Sequence, residues 1–139
     1  MKKKRLGSRR SDCPINLVLE TVGDSWSLLI VRDLMFYGRK SFKEFLDAGE
    51  KIATNILTDR LNRLEATGII KRRRDPSDAR RTVYHLTEKG IDLAPMLVEM
   101  ILWAATHEKT AASPATIREM TQNRKKFIAD VRGRWNPAR

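Results

Sequence analysis

Asn55, Thr58, Asp59, Asn62 and Arg63 recur at three- and four-residue intervals. At helical spacing they lie opposite Ile52, Ala53, Leu57, Leu61 and Leu64, which share one narrow arc. Asn, Thr and Arg are side chains that hydrogen-bond base edges in a DNA major groove. With Thr54 they form a candidate base-reading set in which Thr54 and Arg63 stand near the groove edge. The chemistry on offer is recognition rather than bond making. The plainer alternative is one helix of an ordinary amphipathic bundle.

The elements that must position this helix bear on the choice. Ser41 and Glu44 form a capping box: the Ser41 hydroxyl accepts from the Glu44 N–H, and the Glu44 carboxylate accepts from the Ser41 N–H. This predicts a short helix carrying Phe42, Phe45 and Leu46, broken at Gly49. After a turn, the second helix is predicted from about Ala53 to Thr67, ended by Gly68. A short helix, a tight turn and a longer helix with one polar face make a helix-turn-helix.

Ile69 to Arg74 then reads as a strand, Asp75-Pro76-Ser77-Asp78 as a tight turn, and Arg80 to Leu86 as the return strand. The hairpin carries Lys71, Arg72, Arg73, Arg74, Arg80 and Arg81 against Asp75 and Asp78. A basic hairpin directly after a helix-turn-helix is the wing of a winged helix. Candidate phosphate-holding residues are Arg72, Arg74, Ser77, Arg80 and Arg81 of the wing, with Ser41, Lys43 and Arg60 from the helices. One arginine at the tip has the reach to enter the minor groove.

The composition agrees with a polyanionic partner. The chain has 139 residues, a formal net charge of +11 and 32% charged residues, beside 41% hydrophobic residues for a core. No apolar run approaches the ~20 residues of a membrane-spanning helix. The basic start, MKKKRLGSRR, is followed by residues too polar for a secretory signal. A single cysteine excludes an intrachain disulfide, and a reducing cytoplasm is the expected compartment.

Residues 1–12 read as a basic arm that either lies along DNA or only solubilises the chain. Pro14 starts a helix with Ile15, Val18, Leu19 and Val22 on one stripe, ended by Gly23. A mostly apolar helix from Trp26 to about Phe36, capped by Asp24 or Ser25, is expected as the core helix. After the wing, Thr87 caps a long helix that Pro95 should kink or split. Residues 107–113 read as a loop. Ser113-Pro114 starts a last helix with Ile117, Met120, Phe127 and Val131, closed by Gly133 and followed by a tail from Trp135. The first helix and those after Thr87 are more apolar than a three-helix core requires, so a homodimer through them is expected. Cys13 sits at the start of the first helix with Arg9 and Arg10 nearby. Helix start and cations favour a reactive thiolate, Asp12 opposes it, and a small buried-type residue is the plainer role.

Several motifs then carry a resemblance. Cys13-Pro14, the run from Gly23 to Leu34, Ser41-Phe42-Lys43-Glu44-Phe45, Ile56-Leu57-Thr58-Asp59-Arg60-Leu61, Leu64 to Ile70 and Tyr84 to Gly90 resemble the HxlR family of bacterial winged-helix transcription regulators, distantly similar to the MarR type. The resemblance spans about Cys13 to Trp103. It implies a homodimer on a pseudo-palindromic operator, as repressor or activator, with a sensing cysteine near position 13 in several relatives. Ala53 replaces a serine the family often has there, the wing tip looks more MarR-like, and the stretch after Thr106 matches no known pattern.

The resulting expectation is a mainly α chain with a small β-hairpin: an arm over 1–12, a winged helix-turn-helix over 13–105 with added C-terminal dimerisation helices, and a helical extension over 106–139. Its partner is double-stranded DNA, with no cofactor, no metal, no membrane and an unidentified effector. No nucleotide-binding glycine motif occurs, and His85 (in a strand) and His107 (in a loop) lie in different elements, so no enzyme is expected. The alternative is a nonspecific module for RNA or architectural DNA binding. The 6% aromatic content gives little for base stacking.

Overall fold

The computed structural model describes residues 9–135. Lys2 to Arg5 of the expected arm lie outside the described residues, as does most of the tail.

Helix α1 (Pro14–Val22) leads to α2 (Ser27–Arg32), which runs on as a π-helical segment, Asp33–Tyr37. Helices α3 (Phe42–Leu46) and α4 (Thr54–Ala66) form the helix-turn-helix. Strands β1 (Ile70–Asp75) and β2 (Asp78–Leu86) form the wing. Helices α5 (Glu88–Ile91), α6 (Ala94–His107), α7 (Pro114–Gln122) and α8 (Arg124–Arg134) follow.

The local sequence signals account for most boundaries. The Ser41–Glu44 capping box is formed on both sides. Gly49 and Gly68 take positive φ at the ends of α3 and α4, a conformation that costs glycine little. Thr87 caps α5 through the Gly90 N–H. Pro95 does split the long helix: α5 ends at Ile91, and Pro95 lies in the first turn of α6, where no N–H is needed.

Five expectations are corrected. The core helix is not uniform: beyond Arg32 it widens into a π-helical segment. There the Asp33 carbonyl accepts from the N–H groups of Gly38 and Arg39, and the buried Asp33 carboxylate pairs with Arg32 and Arg39. Ala53, placed in the apolar arc, is exposed because it precedes the first turn of α4. His107 ends α6 rather than lying in a loop, and its ring packs on Trp103 one turn earlier. The last helix breaks at Asn123, and Gly133 lies inside α8 rather than ending it. The break turns α8 back against α5 and α6, where Arg132 pairs with Asp92 and Arg124 with Glu99. Trp135, assigned to a tail, packs on the core and donates its Nε1–H to the Leu86 carbonyl at 2.8 Å.

The core gathers Ile30, Val31 and Met35 with Phe45, with Leu57, Leu61 and Leu64 of α4, and with Ile69, Ile70, Leu86 and Ile91. Val131 belongs to the same cluster, and Phe127 and Ile128 pack against it. The C-terminal helices therefore complete this core within one chain.

Candidate nucleic-acid interface

Helix α4 buries Leu57, Leu61 and Leu64 and turns Thr54, Asn55, Thr58, Asp59, Asn62 and Arg63 outward, all exposed. The Asn55 amide makes no hydrogen bond to another described residue. The Thr58 hydroxyl is turned back onto the Thr54 carbonyl at 3.0 Å, leaving its methyl outward. Arg63 lies toward α1, where it lines a groove with Val18, Leu19 and Thr67. Ala53 provides no side-chain cap, so the N–H groups that begin α4 have no protein hydroxyl over them.

The wing stands beside this face. Its register pairs Ile70 with Leu86, Arg72 with Tyr84 and Arg74 with Thr82. Residues opposite one another share a sheet face, so Lys71, Arg73, Val83 and His85 lie on the other side. Asp75 closes the turn by accepting from the Ser77 N–H and hydroxyl. These bonds, the backbone one first, hold its carboxyl below the usual range. The return strand starts two residues earlier than expected and the first strand is shifted by one, because Asp75 and Asp78 still pair.

The candidate phosphate groups are unequal. Arg80 is exposed and bound only to Asp78. Arg74 donates to the Ala79 carbonyl at 2.6 Å across the tip, and the Ser77 hydroxyl is used by Asp75. Arg72 donates to Glu65 at 2.8 Å and to the Asn62 carbonyl oxygen at 3.0 Å. Arg81 reaches Glu44 of α3 at 3.1 Å and the buried Asp75 at 3.4 Å. Lys43 pairs with Asp47 on the surface, and Ser41 is buried with its hydroxyl in the capping box. Arg60 turns inward to Asp24 at 2.8 Å and also pairs with Asp59.

Two carboxylates organise this surface: Glu65, which the sequence reading did not single out, and Asp24, which it expected only as a helix cap. Glu65 ties the wing to α4. Asp24 ties α4 to the start of α2, accepting from Arg60, from the Trp26 and Ser27 N–H groups and from the Ser27 hydroxyl. Burial pushes the Asp24 carboxyl up, but these bonds outweigh it and lower its pKa to about 2. Only the local part of each pattern, such as the Asp24-x-x-Ser27 spacing, was visible in the chain.

A second exposed surface is apolar. Ile15 (71% exposed) and Leu19 (55%) on α1, with Met100 (48%) and Trp103 (66%) on α6, face outward. No helix among the described residues is long and apolar enough to cross a membrane.

The model of the HxlR-like helix-turn-helix matches residues 21–112. The chain belongs to the HxlR family. By kinship it is therefore a helix-turn-helix transcription regulator. It is 39% identical to an uncharacterized HTH-type transcriptional regulator of Synechocystis sp. over 63% of this chain and 64% of that protein. It is 36% identical to the HTH-type transcriptional regulator YodB of Bacillus subtilis, over 66% of this chain and 85% of YodB. YodB has been crystallised in reduced and in diamide-treated form. The reduced form superposes with a TM-score of 0.59 at 33% identity, covering 70% of this chain and 95% of that one. The redox regulator HypR in its oxidized form superposes with a TM-score of 0.62 at 30% identity, over 70% of this chain and all of HypR, 100%.

Proposed function

We propose that this HxlR-family chain acts as a homodimer on a pseudo-palindromic operator in double-stranded DNA. Asn55, Thr58 and Asn62 read bases, with Thr54, Asp59 and Arg63 at the edge of the contact. Arg74, Arg80 and the wing tip hold phosphate. The observation that carries this is the exposed outer face of α4, with the unpartnered Asn55 amide at its start, beside an exposed arginine hairpin. The dimer reading rests on the apolar side chains that α1 and α6 leave in solvent, which a second copy would cover. Two recognition helices then stand about one DNA turn, ~34 Å, apart.

The test compares operator with random duplex. Asn55→Ala is expected to cost about 1–3 kcal/mol on the operator and far less on random DNA. Arg80→Ala is expected to weaken both alike and to reduce the salt slope by about one unit. Equal losses on both duplexes for Asn55→Ala would return the chain to the nonspecific class. Sedimentation showing only monomer at micromolar concentration would remove the dimer.

A redox input is part of the proposal. HypR is described as a redox regulator, and Cys13 of this chain is exposed at the start of α1. Oxidation there would act on the same helix that is proposed to join the subunits.

A further inference from the structure

Beside the wing lies an open cavity of about 420 Å³. That volume falls in the range of small-molecule sites. Four elements line it: the π-helical segment with the turn after it, the wing, the end of α5 at Ile91, and the end of α8. The α8 wall lies beyond the residues that the family model matches. The cavity is thus built partly by residues outside the helix-turn-helix region that the family model matches.

The lining is of one sign. Arg39, Lys40, Arg73 and Arg134 line it, and no Asp or Glu does. Arg39 is committed to Asp33, and Lys40 feels Asp75. Arg73 and Arg134 form no ion pair with a carboxylate among the described residues. Two nitrogens in the wall, Arg73 Nε and His85 Nδ1, are buried with no hydrogen-bond partner. Buried polar groups in native proteins are nearly always paired; here the Arg73 Nε–H lacks an acceptor, and His85 Nδ1 lacks a donor or an acceptor according to its tautomer. Burial first, then the Arg73 and Lys71 charges, push His85 below its ordinary pKa, so a neutral ring with one N–H is what it offers. The wall also has an apolar part, with Met35, Leu86, Val131 and Trp135, beside the phenols of Tyr37 and Tyr84. Inorganic phosphate would satisfy the cations but leave this apolar surface uncovered.

We propose that the cavity binds a small organic anion, a carboxylate on an apolar body, with the carboxylate on Arg73 and the body against Trp135. The bound anion would join β1, the π-helical segment and α8, and so set how the wing stands against the rest of the chain. This reading goes beyond DNA binding and does not depend on it.

The test uses the full chain without DNA. Benzoate and 2-naphthoate, their neutral amides and inorganic phosphate are titrated by calorimetry and by tryptophan fluorescence. Saturable one-to-one binding of a carboxylate is expected, at least about tenfold tighter than its amide, because a charge-assisted bond is lost in the amide. Arg73→Gln and Arg134→Gln are expected each to weaken it severalfold. Arg134 is exposed at a helix end, so its variant folds whether or not Arg73→Gln does. Trp135→Phe should remove the fluorescence change while binding persists by calorimetry. The proposal is overturned if neither carboxylate saturates at millimolar concentration. It is equally overturned if amide or phosphate binds as well, or if folded Arg73→Gln and Arg134→Gln both bind like wild type.

Discussion

Arg72 of the wing donates its Nε–H to the Glu65 carboxylate of the recognition helix at 2.8 Å. Its backbone N–H reaches the same carboxylate at 3.3 Å, and its Nη2 reaches Asn62 at 3.0 Å. One carboxylate thus sets the wing against α4 and neutralises an arginine that would otherwise face phosphate. The Arg72 side chain is about half exposed, so the pair adds little to stability, in the range of 0–1 kcal/mol before screening. Its weight falls on specificity.

Glu65→Gln is therefore expected to raise affinity for random duplex and to steepen its salt dependence by up to about one ion, because Arg72 becomes free for phosphate. Operator affinity should change less, so the ratio between the two falls. Titrations of both duplexes at several salt concentrations measure this. An unchanged ratio would show that the Arg72–Glu65 pair only braces the wing.

Asp24 gives a prediction in acid. Its folded pKa is lowered from 3.8 to about 2 by the bonds to Ser27, Trp26 and Arg60. A depressed carboxylate stabilises the fold fully above its unfolded pKa and loses that contribution as pH falls through the folded value. The shift corresponds to about 2 kcal/mol, present above about pH 4 and gone near pH 2. Asp24→Asn is expected to lose stability of this order at pH 7, where it still leaves Arg60 without its partner. It should also flatten the acid limb between pH 4 and pH 2. Urea denaturation of both proteins across that range reads the difference.

Gly90 tests the junction of wing and α5. A Cβ built there would lie 2.3 Å from the Ile69 carbonyl oxygen and 3.0 Å from a Leu86 methyl. The Ile69 carbonyl is fixed, since it already accepts from the Thr87 N–H at 3.0 Å. The backbone cannot yield there as a flexible side chain would. Gly90→Ala is expected to cost about 1–3 kcal/mol through overpacking, despite alanine's better helix propensity. Thermal unfolding measures it. A melting temperature equal to or above wild type would mean that α5 shifts freely.

What the sequence disclosed divides by range. The capping box at Ser41, the glycine stops at Gly49 and Gly68, the wing turn at Asp75 and the split at Pro95 depend on residues within four positions of one another. Each was readable from residue type and spacing. The partners of the arginines were not. Arg60 meets Asp24 and Arg81 meets Glu44 across gaps of 36 and 37 residues, which only the folded chain closes. The π-helical turn at Asp33, whose carboxylate pairs with Arg32 and Arg39, and the break at Asn123, beyond which Arg124 and Arg132 pair with Glu99 and Asp92, follow no apolar periodicity. The candidate base readers were named from one face of one helix, and the fold keeps that face outward. Helix α1 forms where expected, but of its apolar stripe only Val22 is buried, and the other buried residue of the helix is Asn16. Ile15, Val18 and Leu19 stay exposed.

Cys13 stands at the start of that exposed helix. Cys13 is exposed, precedes Pro14 and caps α1 without a side-chain bond. Its N–H donates to the Ser11 hydroxyl at 3.4 Å, and Asp12 beside it pairs with Arg9 at 3.5 Å. An oxidant therefore reaches the thiol without unfolding anything. With one cysteine per chain, a disulfide made by diamide must join two chains or add a small thiol; each bond formed passes two hydrogens to the diamide. Either product changes the start of α1, two residues before the exposed Ile15. If α1 joins the subunits, the spacing of the recognition helices changes with it, and operator affinity is expected to fall by about 5- to 150-fold. Cys13→Ser should bind the operator like the reduced wild type and ignore diamide. Non-reducing electrophoresis and mass spectrometry establish which product forms. Full operator affinity in wild type whose Cys13 is shown to be modified would remove this residue as the switch, leaving the DNA-binding surface of α4 and the wing as proposed.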